Sequence, residues 1–377
     1  MKCTDEQQIH SEKLYLFWIS QIPGIGTATI RKLHLWFGSY QEIYRSASLN
    51  IEEIELPTEL RLRKGQWKAV CDAVEGLERC EKSLQEMCSR NIAFITHLDL
   101  EYPQKLLDIP DYPVGLYIRG KIPEENRPSV AVVGARNCSS YGEQVAEEFA
   151  RMLSAEGVQI ISGLALGIDG AAHRGALKGG TATFGVLGCG VNICYPSANY
   201  KLYEAMMESG GIISEFPMNA KPSPGNFPMR NRIISGMADA VLVVEARERS
   251  GSLITAEMGL EQGKEIFAVP GRITDCLSEG CNGLMQQGAH LANSPKDILE
   301  YLGVKYQKEL IIHEKNVNGL AKIEKIVYSC IDFKPKHLDQ IVSECGLSVT
   351  ECMGILMELE LGGYVFRTGN HYYGRRL

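Results

Sequence analysis

Three stretches of this chain set hydroxyls, amides and guanidinium groups just ahead of a helical pattern, where an anion is readily held. The first, "VAVVGARNCSSYGEQVAEEFA", offers Arg136, Asn137, Ser139, Ser140 and Tyr141 after an apolar run. Donors of this kind at a helix N-terminus suit phosphate oxygens better than the single cap a helix needs. A dinucleotide-binding turn would require GxGxxG, but Gly134 is followed by no glycine until Gly142, which excludes standard NAD or FAD binding. The second stretch, "SGLALGIDGAAHRGAL", brings Gly163, Gly167 and Gly170 to a strand end, where backbone can approach a ligand closely. Asp169 and His173 stand four residues apart there with no nucleophile beside them, so they read as a structural lock rather than a catalytic pair. The third, "ERSGSLITAEMG", places Ser250, Gly251 and Ser252 before another helix. Between the second and third, the GCG of "GVLGCGVNICYPSAN" is a weak nucleotide match, and Lys201 follows at the start of a helix.

A longer run stands out by what it lacks. From Phe216 to Ala238 there is no Asp or Glu, although the chain holds 46 of them and carries a net charge of −7. Prolines 222, 224 and 228 stiffen this run as a loop, and Gly225 permits close approach. Phe227 offers a flat face, while Lys221, Arg230 and Arg232, with Asn231 between the arginines, supply charge and hydrogen bonds. A stacking face with backbone cations is the recipe for single-stranded nucleic acid, each stacked base contributing roughly 1–3 kcal/mol. The competing reading is a structural loop whose arginines pair with Glu215 or Glu245.

The rest of the chain bounds these readings. Its 377 residues imply two or three domains, with 45% hydrophobic and 23% charged residues as in ordinary globular proteins. The start, "MKCTDEQQIH", has no basic and no apolar region of a secretory signal, and no apolar run is long enough to span a membrane, so a cytoplasmic protein is expected. The twelve cysteines form no CxxC pair; Cys189 and Cys194, like Cys276 and Cys281, are separated by four residues. Cys71, Cys330 and Cys352 lie among apolar residues at helical spacing, so reduced thiols and no metal are expected. No cofactor is expected either.

Composition divides the chain into residues 1–80, 81–306, a linker at 307–317, and 318–377. The first part is helical; "IPGIGTATIRKL" places Gly24, Ile25 and Gly26 between two amphipathic helices. This resembles a helix-hairpin-helix unit, which either grips a phosphate with its amides or only packs; a degenerate second copy, "ELPTELRLRKG", follows. In the second part, strand-like runs ("NIAFIT", "SVAVVG", "VQIISG", "TATFGVLG", "GIISEF", "AVLVVEA", "EIFAVPG") alternate with helical ones. That alternation predicts an α/β fold, an extended Rossmann-like, mainly parallel sheet covered on both faces, with ligands at the strand carboxyl ends. The last part predicts three helices and a hairpin, with Gly346 in the tight turn, as in a winged helix. Its presumed recognition helix carries Glu351, Glu358 and Glu360 and no basic residue, which favours protein over duplex contact.

Taken in order, "VGARNCSSYG", "SGLALGIDGAAHRGAL", "YPSAN", "SEFP", "FPMRNRIISG", "SGSLITA", "VPG" and "GCNGLMQQGA" resemble the DNA-processing protein A (DprA/Smf) family of bacteria. The resemblance implies a homodimer that binds single-stranded DNA without catalysis, protects DNA incoming in natural transformation and recombination, and loads RecA onto it. It implies phosphate contact for Arg136, a nucleotide held by Asn226 and Phe227, and a pocket completed by Arg230, Asn231, Arg232 and Ser250 to Ser252. The chain departs from the family pattern at Ala135, where Ser is common, and at Pro224, where a basic residue often precedes the Phe; Lys221 stands nearby. The rival reading is a nucleotide-binding enzyme or sensor of the lysine-decarboxylase-like phosphoribohydrolase type. Those carry PGGxGTxxE; here Glu257 is the nearest acid and the Gly-Gly is absent.

Overall fold

The computed structural model describes residues 12–49, 60–304 and 320–376. Helices α1 (residues 12–20), α2 (Thr27–Phe37), α3 (Tyr40–Ser48), α4 (Gln66–Asp72) and α5 (Leu77–Ser89) form the N-terminal region. Their apolar faces meet in a core that includes Leu16, Trp18, Ile30, Leu33 and Ile43. The first half of the second hairpin copy, residues 55–59, lies outside the described residues, as does the expected linker at 307–317.

A nine-stranded sheet follows, built from β1 (Ile92–Thr96), β2 (Gly115–Gly120), β3 (Ser129–Val133), β4 (Gln159–Ser162), β5 (Thr183–Val186), β6 (Gly211–Ser214), β7 (Ala240–Val243), β8 (Glu265–Ala268) and β9 (His290–Leu291). Their order across the sheet is β1-β2-β6-β5-β4-β3-β7-β8-β9. From β6 to β9 the strands are parallel, while β1 and β2 extend the edge antiparallel. The strand "GLYIRG" of β2 was absent from the sequence expectation. It carries two glycines and an arginine, and it acquires its strand character from pairing on both sides with β1 and β6.

Successive strand residues face opposite layers. Val130 and Val132 pack with α7 (Ser140–Ala155), α8 (Ile168–Gly179) and α13 (Pro295–Tyr301); Ala131 and Val133 pack with α6 (Gln104–Leu107), α10 (Asn226–Gly236), α11 (Gly251–Glu261) and α12 (Glu279–Gln286). Helix α9 (Tyr200–Ser209) lies with β2, β5 and β6. The chain winds outward from β3 through β4 and β5 to β6, then returns to β7 beside β3 and winds the other way. Loops leaving β3 and β7 therefore diverge and open a crevice at their carboxyl ends.

The C-terminal unit comprises α14 (Lys322–Ser329), β10 (Lys336–His337), α15 (Leu338–Cys345), α16 (Val349–Leu361), β11 (Val365–Thr368) and β12 (Tyr372–Arg375), with strand order β10-β12-β11. Gly346 closes α15 in the left-handed region (φ 71), which turns the chain into α16. Val327, Ile341, Leu356 and Leu359 belong to a separate core there. Among the described residues no helix is long and apolar enough to cross a membrane.

One expectation needs correction. The acid-free run is not all loop: residues 226–236 form α10. Pro222 and Pro224 precede it, and Pro228 sits in its first turn, where a missing N–H breaks no intrahelical bond. Ile233, Ile234 and Met237 are buried against the sheet, so part of the run excludes acids because it is core.

Candidate nucleic-acid interface

A groove of about 680 Å³ lies over the carboxyl ends of β3 and β7, at the switch point. Its walls come from the turns after β3, β4 and β7 and from the first turns of α10 and α11. Arg136, Asn137, Phe227, Arg230, Asn231, Ser250, Gly251 and Ser252 all line it, as the sequence reading anticipated.

Arg230 is the best-anchored of these. Its Nη1 donates to the carbonyls of Gly163 (2.7 Å) and Val186, and its Nε donates to Asn231 Oδ1 at 3.2 Å. Gly163, a ligand contact in the sequence reading, is not among the residues lining the groove, and a Cβ there would run into the Arg230 guanidinium. Burial lowers the Arg230 pKa to about 10, which leaves it charged at neutral pH. Asp169 also faces this space, and its carboxylate accepts from the N–H groups of Gly163 (3.1 Å) and Ala165 (3.4 Å). Burial pushes the Asp169 carboxyl up, while Arg230 and those two amides pull it down. The turn it holds contains Leu164 at φ 54, a left-handed conformation unusual for Leu, and Asn199 Nδ2 clamps it through the carbonyls of Leu164 and Ala165.

Phe227 is the centre of an aromatic stack. Its ring lies 5.8 Å from that of half-exposed Tyr195, at 27° between planes. The guanidinium carbon of Arg136 stands 5.0 Å from the Phe227 centroid, and that of Arg230 stands 5.9 Å away. Asn231 Nδ2 donates to Gly251 O at 3.3 Å and ties α10 to α11. Ser250 caps α11 and shares a 2.7 Å hydrogen bond with Ser252. No acidic residue occupies the first turn of α11. Arg247 and Arg249 complete the basic lining; the sequence analysis did not single them out, and in "VVEARERSGS" they stand among Glu245 and Glu248.

Several anticipated contacts lie elsewhere. Ser139 is turned inward: its N–H and Oγ both donate to the Glu245 carboxylate, at 2.8 and 2.5 Å. The N-terminus of α7 therefore already holds an anion, the protein's own, and a Cβ at Gly142 would collide with that carboxylate. Tyr141 is half-buried against the α7 layer, away from the groove. Arg232 is buried and turned away from the groove; its Nη2 meets Glu215, just past β6, at 2.6 Å, and its Nε meets Asp111, just ahead of β2, at 3.3 Å. The pairing with Glu215 that competed with DNA contact thus holds for Arg232 and not for Arg230. Asn226 anchors the start of α10 by donating to Gly188 O at 3.0 Å, outside the groove lining. Lys201, Lys221 and Gly225 are exposed and do not line the groove either; a Cβ at Gly225 would meet open space.

Gly24 adopts φ 83, its carbonyl accepts from Gln66 Nε2, and Ile25 is core. Gly26 precedes α2 with no side-chain cap, and the Thr27 hydroxyl that follows donates to Glu215 at 2.8 Å. Glu215 therefore joins the hairpin to α10. His173 does not pair with Asp169 as the lock expected from sequence, since that carboxylate is taken by the amides of its own turn. It lies buried against the Thr183 hydroxyl at 2.7 Å, and burial lowers its pKa to about 3, so it is neutral.

Comparison with known proteins bears on the family. Residues 93–303 match the family described as DNA recombination-mediator protein A, and residues 314–370 match the DprA winged helix domain. Protein Smf of Escherichia coli (strain K12) is 40% identical over 270 residues, 70% of this chain and 72% of that protein. The X-ray structure of DNA processing protein A from Streptococcus pneumoniae is similar with a TM-score of 0.64 and 32% identity, covering 78% of this chain and 98% of that one. A structure of DNA processing protein A from Helicobacter pylori, described by its single-stranded DNA binding mode, gives a TM-score of 0.51 and 28% identity over 56% of this chain and 95% of that one.

Proposed function

The chain belongs to the DNA recombination-mediator protein A (DprA/Smf) family, and from that premise we propose that its groove binds single-stranded DNA without chemistry on it. The carrying observation is the lining itself: Arg136, Arg230, Arg247 and Arg249 surround an aromatic stack beside a helix N-terminus free of acids. Guanidinium groups and backbone N–H groups track phosphates, and Phe227 with Tyr195 offers a face that any base can share. The protein protects incoming single strands in natural transformation and recombination and passes them to a RecA recombinase, acting in the cytoplasm as a homodimer. The helical part at 1–80, the sheet part at 81–306, the linker at 307–317 and the winged helix at 318–377 are its domains; the separate winged-helix core supports the last of these, while Phe17 of α1 packs with Phe94 and Tyr117 of the sheet.

A phosphoribohydrolase-like reading has less support, because Glu257, the acid it would use, is exposed on α11 and does not line the groove. The test is fluorescence anisotropy with labelled single-stranded and duplex oligonucleotides over a salt series. Tight single-strand binding with a steep salt slope, weakened and flattened by Arg249→Ala, is expected. Equal, weak binding to both DNA forms that ignores the substitution would overturn the reading and favour a small nucleotide as ligand.

A further inference from the structure

Helix α16 presents a second surface with different chemistry. Its inner face, Cys352, Ile355, Leu356 and Leu359, is consumed by the winged-helix core. Its outer face carries Val349 (49% exposed), Met353 (43%), Met357 (64%) and Leu361 (81%). Spacing by four residues advances about 40° per step, so these side chains form a slowly winding stripe along the helix. Exposed apolar residues scattered singly need no explanation, but four in register on one helix do. Gly354 adjoins the stripe, and a Cβ there would meet open space, which leaves a notch beside Met353 and Met357. Methionine side chains adapt to the shape of a partner.

The border of the stripe is acidic. By helical geometry Glu360 flanks one side and Glu358 the other, both exposed, and α16 contains no Lys, Arg or His. That charge repels a phosphate backbone and equally an anionic membrane surface. We propose that α16 docks a basic amphipathic helix from another protein, its apolar anchors at i, i+3 or i+4 and i+7 on the methionine stripe and its lysines or arginines against the glutamate borders.

The test uses the full-length chain and a fluorescein-labelled, 18-residue helical peptide of leucine and lysine patterned with that spacing, against a scrambled peptide of the same composition. At physiological salt the patterned peptide is expected to bind at least tenfold more tightly than the scrambled one. Met357→Asp and Leu361→Asp, both at exposed positions, should each remove that preference while single-strand binding stays unchanged. Glu358→Lys with Glu360→Lys should weaken peptide binding more at low salt than at high salt. Binding that ignores either the pattern or the substitutions, or no binding, would overturn the proposal. So would self-association abolished by Met357→Asp, since the occupant would then be a second copy of this chain. Loss of single-strand binding in the wild type would strike the groove reading and leave this one standing.

Discussion

The groove over the central sheet and the winged helix are both shapes associated with nucleic acid, yet their surfaces differ in sign. In the groove, arginines project from two turns and from α10 toward one space, and two acids beside it are occupied: Asp169 by the amides of its own turn and Glu245 by Ser139. On the winged helix, the helix that would enter a duplex groove offers glutamates and methionines. The difference shows that a fold outline sets where contact can occur, while the side chains facing outward decide with what.

The sharpest way to test which cations belong to the groove is Arg232. It stands two residues from Arg230 on α10 but faces the other way, into a pair with Glu215, whose side chain is 12% exposed. Arg232→Ala leaves that carboxylate partly buried and, among the described residues, held only by Thr27. Urea denaturation is expected to show a loss of about 3–5 kcal/mol, with the salt slope of single-strand binding unchanged in the folded protein. A flattened slope with no loss of stability would move Arg232 into the binding surface.

Arg136→Ala should have the next largest effect, and on affinity instead. A charged hydrogen bond contributes about 1.5–3 kcal/mol, so affinity should fall roughly 10- to 150-fold. One phosphate contact fewer should also reduce the logarithmic salt slope by about 0.7. Phe227→Ala is expected to cost about 1–3 kcal/mol of binding through lost stacking, with the slope intact. The two substitutions separate charge from stacking; a slope change from Phe227→Ala would mean that it acts by displacing Arg136, which lies over its ring.

Most of the sheet and the winged helix were legible because strands buried on both faces leave continuous apolar runs, as in "AVLVVEA" and "VQIISG". The β2 strand was not, since its place depends on pairing partners distant in sequence. The groove was half legible. Residue types at strand ends identified Arg136, Phe227 and the Ser250 turn, but sequence does not reveal which way a side chain points around a helix whose opposite sides both meet protein. Hence Arg230 and Arg232 looked alike. Ser139 looked free for the same reason: its partner Glu245 comes from the turn after the neighbouring strand, 106 positions away. Arg247 and Arg249 were not singled out, although the Ser250 turn beside them was read as anion-ready.

The smallest expected effect tests the other half of the comparison. If α16 avoids DNA because it lacks donors for phosphates and base edges, removing its acids should gain little. Glu358→Gln with Glu360→Gln, both exposed, takes away two screened charges, worth ~0.2–1 kcal/mol. Duplex affinity, measured with the same oligonucleotides, should therefore rise by no more than a few fold. It should also show no sequence preference, since Met353, Met357 and Leu361 cannot hydrogen-bond a base edge. A large, sequence-dependent gain would mean that the glutamates alone hold a working recognition helix in check. The contrast between the two surfaces would then be one of regulation rather than of partner.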